Sequence, residues 1–228
     1  NGDLNKKSII NWEYSESQIL ENASNRKFTE TQRSLLIEAL RFQYKDIGLT
    51  IEEESSLKLL ENTNAFTITT GHQLNLLGGA QFFYTKILDV IRLAKKLTVS
   101  SSFTFVPVFW MATEDHDFEE IKSFHAFGKD YSWDINPSGP VGKIDPTSLK
   151  NILEMLPENI PFFEEAYLKS NTLSEAVRKY MNFLFGSYGL IVLDASSKRL
   201  KSGFTNIIKD DILLYEQELV QKKSSRLI

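Results

Sequence analysis

A chain of 228 residues, 42% of them hydrophobic, holds enough apolar mass for one large domain or for a core with an appended subdomain. Its 30 acidic and 26 basic residues give a net charge of −4, and no basic stripe interleaved with aromatics runs through it, so nucleic acid is not an expected partner. No apolar run reaches the ~20 residues that span a bilayer, no secretory segment opens the chain and no cysteine occurs, which points to a soluble, cytoplasmic protein without membrane contact, disulfides, thiolate metal sites or a cysteine nucleophile.

Residues 1–14 show no period and read as extended or poorly ordered. Three capped helical segments follow. Ser15 with Gln18, Thr29 with Gln32 and Thr50 with Glu53 each match the capping box, in which a hydroxyl and a side chain three residues later satisfy free backbone N–H groups. In the second segment Leu36, Ala39, Leu40, Gln43 and Ile47 follow helical spacing, with Leu35 and Phe42 widening the apolar face. Residues 1–62 therefore read as a helical layer of the core, with no chemistry assigned.

Residues 66–70 are short, β-branched and bounded by Asn64 and Gly71, which makes a strand. After the loop TGHQLNLLGG, the residues Phe83, Ile87, Val90, Ile91 and Ala94 form one stripe of a helix over 80–97. Residues 103–111 are an apolar run consistent with a parallel strand buried on both faces. Pro107 removes a ladder hydrogen bond and argues against a central place in the sheet. Strand, helix and strand make residues 63–121 the first βαβ half of a Rossmann-like core.

From 122 to 144 the residues Phe124, Ala126, Tyr131, Trp133 and Ile135 alternate between turn signals at 128–130 and 136–139, a small antiparallel insertion. Helices then complete a connecting region over 122–187. Within 188–228, residues 189–194 form a third core strand, followed by a polar turn and a long helix. Its stripe of Phe204, Ile208, Ile212, Tyr215 and Leu219 packs on the sheet or continues as a coiled coil. The helical pattern meets no stop signal before residue 228, so the chain reads as part of something longer.

Two polar clusters lie just past the C-terminal ends of the first two strands, where open α/β sheets place ligand sites. In TGHQLNLLGG, Gly71 and the pair Gly78 and Gly79 permit positive φ and close backbone approach, and the loop feeds a helix N-terminus suited to a phosphate, carboxylate or adenylate. His72, Gln73 and Asn75 add side-chain donors. The alternative is a strand-to-helix turn that needs glycine; neither the GxGxxG nor the Walker pattern is present. The second cluster, ATEDHDFEE, holds Glu114, Asp115, His116, Asp117, Glu119 and Glu120. Carboxylates there hold an ammonium group, act as a general base or bind a divalent cation, unless they are solvated residues opening a helix. Consecutive residues cannot all face one ion, so no metal centre is expected.

At these motifs the chain resembles the bacillithiol biosynthesis enzyme family that adds cysteine to glucosaminyl-malate. The stretch from Thr70 to Lys86 looks like the family's Thr-Gly-Gln-Gln-type loop, glycine pair and helix start with tyrosine and lysine. The stretch from Pro107 to Glu120 is similar, nearly residue for residue, to its Pro-Val-Phe-Trp and Glu-Asp-His-Asp-Phe-Glu-Glu hallmark, and GLIVLDA has a counterpart. His72 departs from the family's usual glutamine.

The resemblance implies an α/β fold with a Rossmann-like parallel sheet like those of class I aminoacyl-tRNA synthetases and nucleotidyltransferases. It also implies a homodimer through a coiled coil beyond this segment, and a cysteine ligase forming an amide between cysteine and glucosaminyl-malate. On that reading His72, Asp115, His116 and Asp117 are catalytic. Thr70, Gly71, Gln73, Asn75, Gly78, Gly79, Tyr84, Lys86, Trp110 and Glu114 bind substrate. A free carboxylate needs activation before it forms an amide, and ATP is the candidate activator. In this picture the loop binds the activated group, His72 and Gln73 donate to developing negative charge, and the acidic run orients and deprotonates the amine. Two other classes stay open: a non-catalytic ligand-binding domain, and a nucleotidyltransferase that stops at an adenylated product.

Overall fold

The computed structural model describes residues 15–79, 81–205 and 208–209. The aperiodic stretch 1–14, and Ile212, Tyr215 and Leu219 with any coiled coil they would begin, lie outside the described residues. The chain opens with helices α1 (Glu16–Asn25), α2 (Glu30–Gln43) and α3 (Ile51–Leu59). Thr29 with Gln32 and Thr50 with Glu53 form complete capping boxes. Ser15 makes half of one: it accepts from the Gln18 N–H at 3.3 Å, while the Gln18 amide turns to Glu21 at 2.7 Å.

The buried face of α2 differs from the expected stripe. It carries Arg33, Ile37, Ala39 and Leu40, whereas Phe42 is 58% exposed beneath the Arg199 guanidinium. Arg33 turns the face inward because its guanidinium donates to the carbonyls of Leu60, Thr63 and Ala65 at 2.9–3.1 Å, where α3 ends and β1 begins.

Strand β1 (Ala65–His72), helix α4 (Gln81–Ser100) and strand β2 (Thr104–Met111) follow. Then come the short helix α5 (Phe118–Ile121), the strands β3 (Ser123–Ala126) and β4 (Lys129–Ser132), helices α6 (Lys150–Met155), α7 (Pro161–Leu168) and α8 (Leu173–Phe185), strand β5 (Ile191–Asp194) and α9 (Lys198–Ser202). The main sheet has the order β1-β2-β5 with every pair parallel, and β3 and β4 form a separate antiparallel hairpin.

β2 lies centrally in spite of Pro107. Its pairing with β5 begins at Val108, so the missing N–H falls just outside the doubly paired stretch. Burial on both faces holds as far as Phe109, while Trp110 is 46% exposed. On one face Phe109 and Met111 pack with Phe83 and Ile87 of α4, in a core that continues through Trp133, Tyr167, Tyr180 and Val192. On the other, Val106, Val108, Ile191 and Leu193 meet Ile37, Leu40, Tyr44 and Leu57 of the N-terminal helices. Each such side chain contributes about 1.5–3 kcal/mol on burial.

The hairpin turn is Phe127-Gly128, one residue earlier than the turn signal suggests. Both residues have positive φ (52° and 72°), the two-residue connection that matches strand twist, and Lys129 and Asp130 already pair in β4. No described helix is long and apolar enough to cross a membrane.

Candidate functional site

Parallel pairing brings the two motifs together. His72 stands opposite Met111, and Met111 opposite Asp194, so the chain leaves all three strands at the same edge of the sheet. The Ala112 N–H donates to the His72 carbonyl at 3.1 Å and extends the β1–β2 ladder by one step. Thr70, Gly71 and His72 are therefore strand residues, and the loop begins at Gln73. Gly71 has no positive φ to accommodate; it lies opposite the half-exposed Trp110.

His72 is half-buried, its ring packed 5.3 Å from that of Phe82 and 5.1 Å from that of Phe83. Burial lowers its pKa, and the hydrogen bond to the Gln73 carbonyl pulls the other way without reversing the shift. Nδ1 lies 3.2 Å from the Gln73 carbonyl, which can only accept, so the neutral ring carries its proton on Nδ1 and leaves Nε2 as an acceptor.

Gln73 links loop to acidic run. Its amide nitrogen donates to the Asp115 carboxylate and to Glu120 at 3.2 Å. Asp115 also accepts from the backbone N–H groups of His116 (2.6 Å) and Asp117 (3.0 Å), an Asx-type turn. The Asp117 N–H, the Gln73 amide and the His116 N–H hold the Asp115 carboxyl below its ordinary pKa. The carbonyl oxygens of the Gln73 and Asn75 side chains are buried and have no hydrogen-bond partner among the described residues. The ionised Asp115 carboxylate, with Glu120 on the same Gln73 amide, is the part of this arrangement that suits a cationic ligand.

The other candidates fall around this centre. Asp117 caps α5, accepting from the Glu120 N–H at 3.2 Å, and His116 is exposed. Glu114 is exposed and paired with Lys201 of α9. Leu77, Gly78 and Gly79 have successive positive φ of 48°, 77° and 64°. Tyr84 donates to the Leu77 carbonyl at 2.7 Å and the Tyr167 hydroxyl accepts from the Leu77 N–H at 2.8 Å, clasping this turn from both sides. Burial pushes the Tyr84 phenol up to about 12, and a Cβ on Gly78 would stand 2.1 Å from its oxygen. Lys86, exposed on the first turns of α4, reaches the Gly71 carbonyl at 3.3 Å, and Thr70 is half-buried beneath it on β1. A cavity of about 750 Å³ runs between α1, α4 and β1, the edge strand of the sheet among the described residues, and meets the site through Thr70 and Lys86. Among the described residues no group of three His, Asp or Glu is arranged to hold a metal ion.

Asp194 is the residue that the motifs did not single out. Only 9% exposed at the end of β5, it accepts from the hydroxyls of Thr113 (2.6 Å), Ser174 and Ser196 (2.7 Å) and from the Ser196 N–H (2.8 Å), and faces Arg178 at 3.4 Å. Its signal was an aspartate closing an apolar strand at the edge where ligands bind.

The family model described as "Bacillithiol biosynthesis BshC, N-terminal Rossmann-like domain" matches residues 6–227. A Flavobacterium johnsoniae protein is 40% identical over 208 residues, 86% of this chain and 39% of that protein. A Flavobacterium psychrophilum protein is 40% identical over 217 residues (90% and 40%), and one of Cytophaga hutchinsonii is 38% identical over 197 residues (86% and 38%). All three carry the name "Putative cysteine ligase BshC". The chain spans about two fifths of the length of these relatives. With its parallel three-stranded sheet between helical layers and a family match over nearly its whole length, the chain belongs to the bacillithiol biosynthesis BshC family, as the N-terminal Rossmann-like domain.

Proposed function

We propose that the complete protein joins the carboxyl of cysteine to the amino group of glucosaminyl-malate, the amide-forming last step of bacillithiol biosynthesis. The observation that carries this reading is the Gln73 bridge, one residue along from the neutral His72, which holds an ionised Asp115 next to Glu120 at the carboxyl edge of the sheet. An amine is the ligand this centre suits. Asp115 and Glu120 pair with it while it is an ammonium, and His72 Nε2 accepts one of its N–H groups once it is neutral.

Asp115, held below the usual carboxylate range, is a weak proton acceptor and serves as the fixed charge. His72 orients the attacking nitrogen through Nε2. The glutamine that the family usually carries here offers the same kind of acceptor, which favours orientation over obligatory proton transfer. The positive-φ turn at 77–79, the start of α4 and Lys86 suit the anionic side of the reaction. If ATP activates the carboxylate, its phosphates belong there, supplying the leaving group that makes amide formation downhill. Dimerisation through a coiled coil beyond this segment belongs to the same reading of the complete protein.

The test is an assay of the complete protein with cysteine, glucosaminyl-malate and ATP, followed by mass spectrometry. Amide product matched by AMP or ADP supports the ligase and identifies the activated species. Pyrophosphate exchange without amide would replace it by a nucleotidyltransferase. Binding of glucosaminyl-malate with no turnover of any kind would replace it by a binding module.

A further inference from the structure

We propose that Asp194, acting through Thr113, is a positioning residue for the acceptor-amine site: it fixes where the Asp115 carboxylate stands. The inference rests on the reading of Asp115 as part of that site, and its argument is geometric.

Asp115 is held by hydrogen bonds more than by packing, because it is half-buried and Glu114, His116 and Asp117 around it are exposed. Thr113 is the last buried residue before them, at 2% exposure. Its hydroxyl donates to Asp194 at 2.6 Å and its carbonyl accepts from the Gly142 N–H at 3.0 Å, where a Cβ on Gly142 would come within 2.6 Å of that carbonyl. Two residues on, the Asp115 carbonyl accepts from the Val141 N–H at 2.7 Å. The segment is thus pinned on one side by residues 141–142 and on the other by Asp194.

Asp194 is itself fixed from three further directions. Arg178 and Ser174 reach it from α8, and Ser196 from the following turn. The Gln43 side chain brackets its backbone, accepting from the N–H and donating to the carbonyl, both at 3.0 Å. A charged group with that many fixed donors acts as a rigid post. It stands one strand away from Met111, after which the site segment begins.

Substitution at Thr113 tests this without unmaking the buried charge cluster. In the complete protein, Thr113→Val removes the hydroxyl at nearly constant volume and Thr113→Ser keeps it. Hydrogen exchange read by mass spectrometry should show the amides of His116, Asp117 and Val141 exchanging at least tenfold faster in Thr113→Val, with β1 and α4 unchanged. Thr113→Ser should return to the wild-type rates. In the amide-forming assay Thr113→Val should lower kcat at least tenfold, with a smaller change in KM for cysteine, and Thr113→Ser should restore it to within threefold. Wild-type exchange at 115–117 in Thr113→Val, or acceleration spread evenly over the sheet, would overturn the proposal. A wild-type protein that forms no amide would sink the functional reading alone, since the exchange data decide the positioning independently of turnover.

Discussion

Gln73 and Asp115 are 42 residues apart in sequence and belong to different strand ends, yet the amide of one donates directly to the carboxylate of the other. Parallel β1–β2 pairing makes this possible, because it delivers both chain ends to the same edge at the same height. The same amide nitrogen also reaches Glu120, so one neutral donor separates two carboxylates that would otherwise repel each other.

Removing that donor tests the bridge. Gln73→Leu should lower kcat/KM about 10- to 100-fold, equivalent to about 1.4–2.7 kcal/mol of transition-state stabilisation. Gln73→Glu keeps the size and adds a third negative charge between two existing ones, so it should be worse than Gln73→Leu. Steady-state kinetics on both variants checks the order, and a more active Gln73→Glu would show that charge spacing is not what the bridge provides.

The main sheet was legible because its signals are local. Residues 66–70 and 103–111 are β-branched or continuously apolar, and the stripe from Phe83 to Ala94 falls on one face of α4 as its spacing requires. Gly71 misled for a physical reason: glycine reads as a boundary, but in an edge strand opposite Trp110 it simply continues the ladder. Arg33 was not legible because a stripe of apolar residues leaves a guanidinium out, whereas this one is buried against three carbonyls. Of the Asp194 cluster only the aspartate closing an apolar strand was legible. Its partners come from positions as far as 151 residues away, and no single stretch of sequence carries the pattern.

The turn at 77–79 should behave as structure first. Tyr84→Phe loses the hydroxyl that donates to Leu77 and should cost about 0.5–1.5 kcal/mol of stability while leaving kcat near wild type. Gly78→Ala combines a positive φ with a Cβ directed at Tyr84, so it should cost more, about 2 kcal/mol or above. Chemical denaturation of the two single variants and the double variant checks this. If Tyr84→Phe lost activity but no stability, the phenol would be a substrate ligand and not a clasp.

Asp117 separates cap from chemistry. As the N-cap of α5 it accepts from the Glu120 N–H, so Asp117→Ala should lose about 0.5–2 kcal/mol, and Asp117→Asn or Asp117→Ser should recover most of it. Activity should follow stability through this series. An Asp117→Asn protein with wild-type stability and less than one hundredth of wild-type kcat would instead put the carboxylate in the reaction.

His72 predicts a pH signature with a definite sign. Its folded pKa lies below the ordinary value of 6.5, chiefly because burial penalises the charged ring. The unfolded chain therefore takes up a proton at higher pH than the folded one. This contribution to stability is fully present above the unfolded pKa and declines as pH falls from about 6.5 toward the folded value. Activity should share an acid limb below 6.5, because protonation occupies Nε2, the acceptor that orients the amine. Glutamine retains an acceptor without titrating, so His72→Gln should keep activity within about tenfold at neutral pH and lose that limb, whereas His72→Ala should lose about 100-fold or more at every pH. The kcat/KM profile from pH 5 to 8 for the three proteins decides the role. If His72→Gln were as inactive as His72→Ala while remaining folded, His72 would be transferring a proton and not merely holding the nitrogen in place.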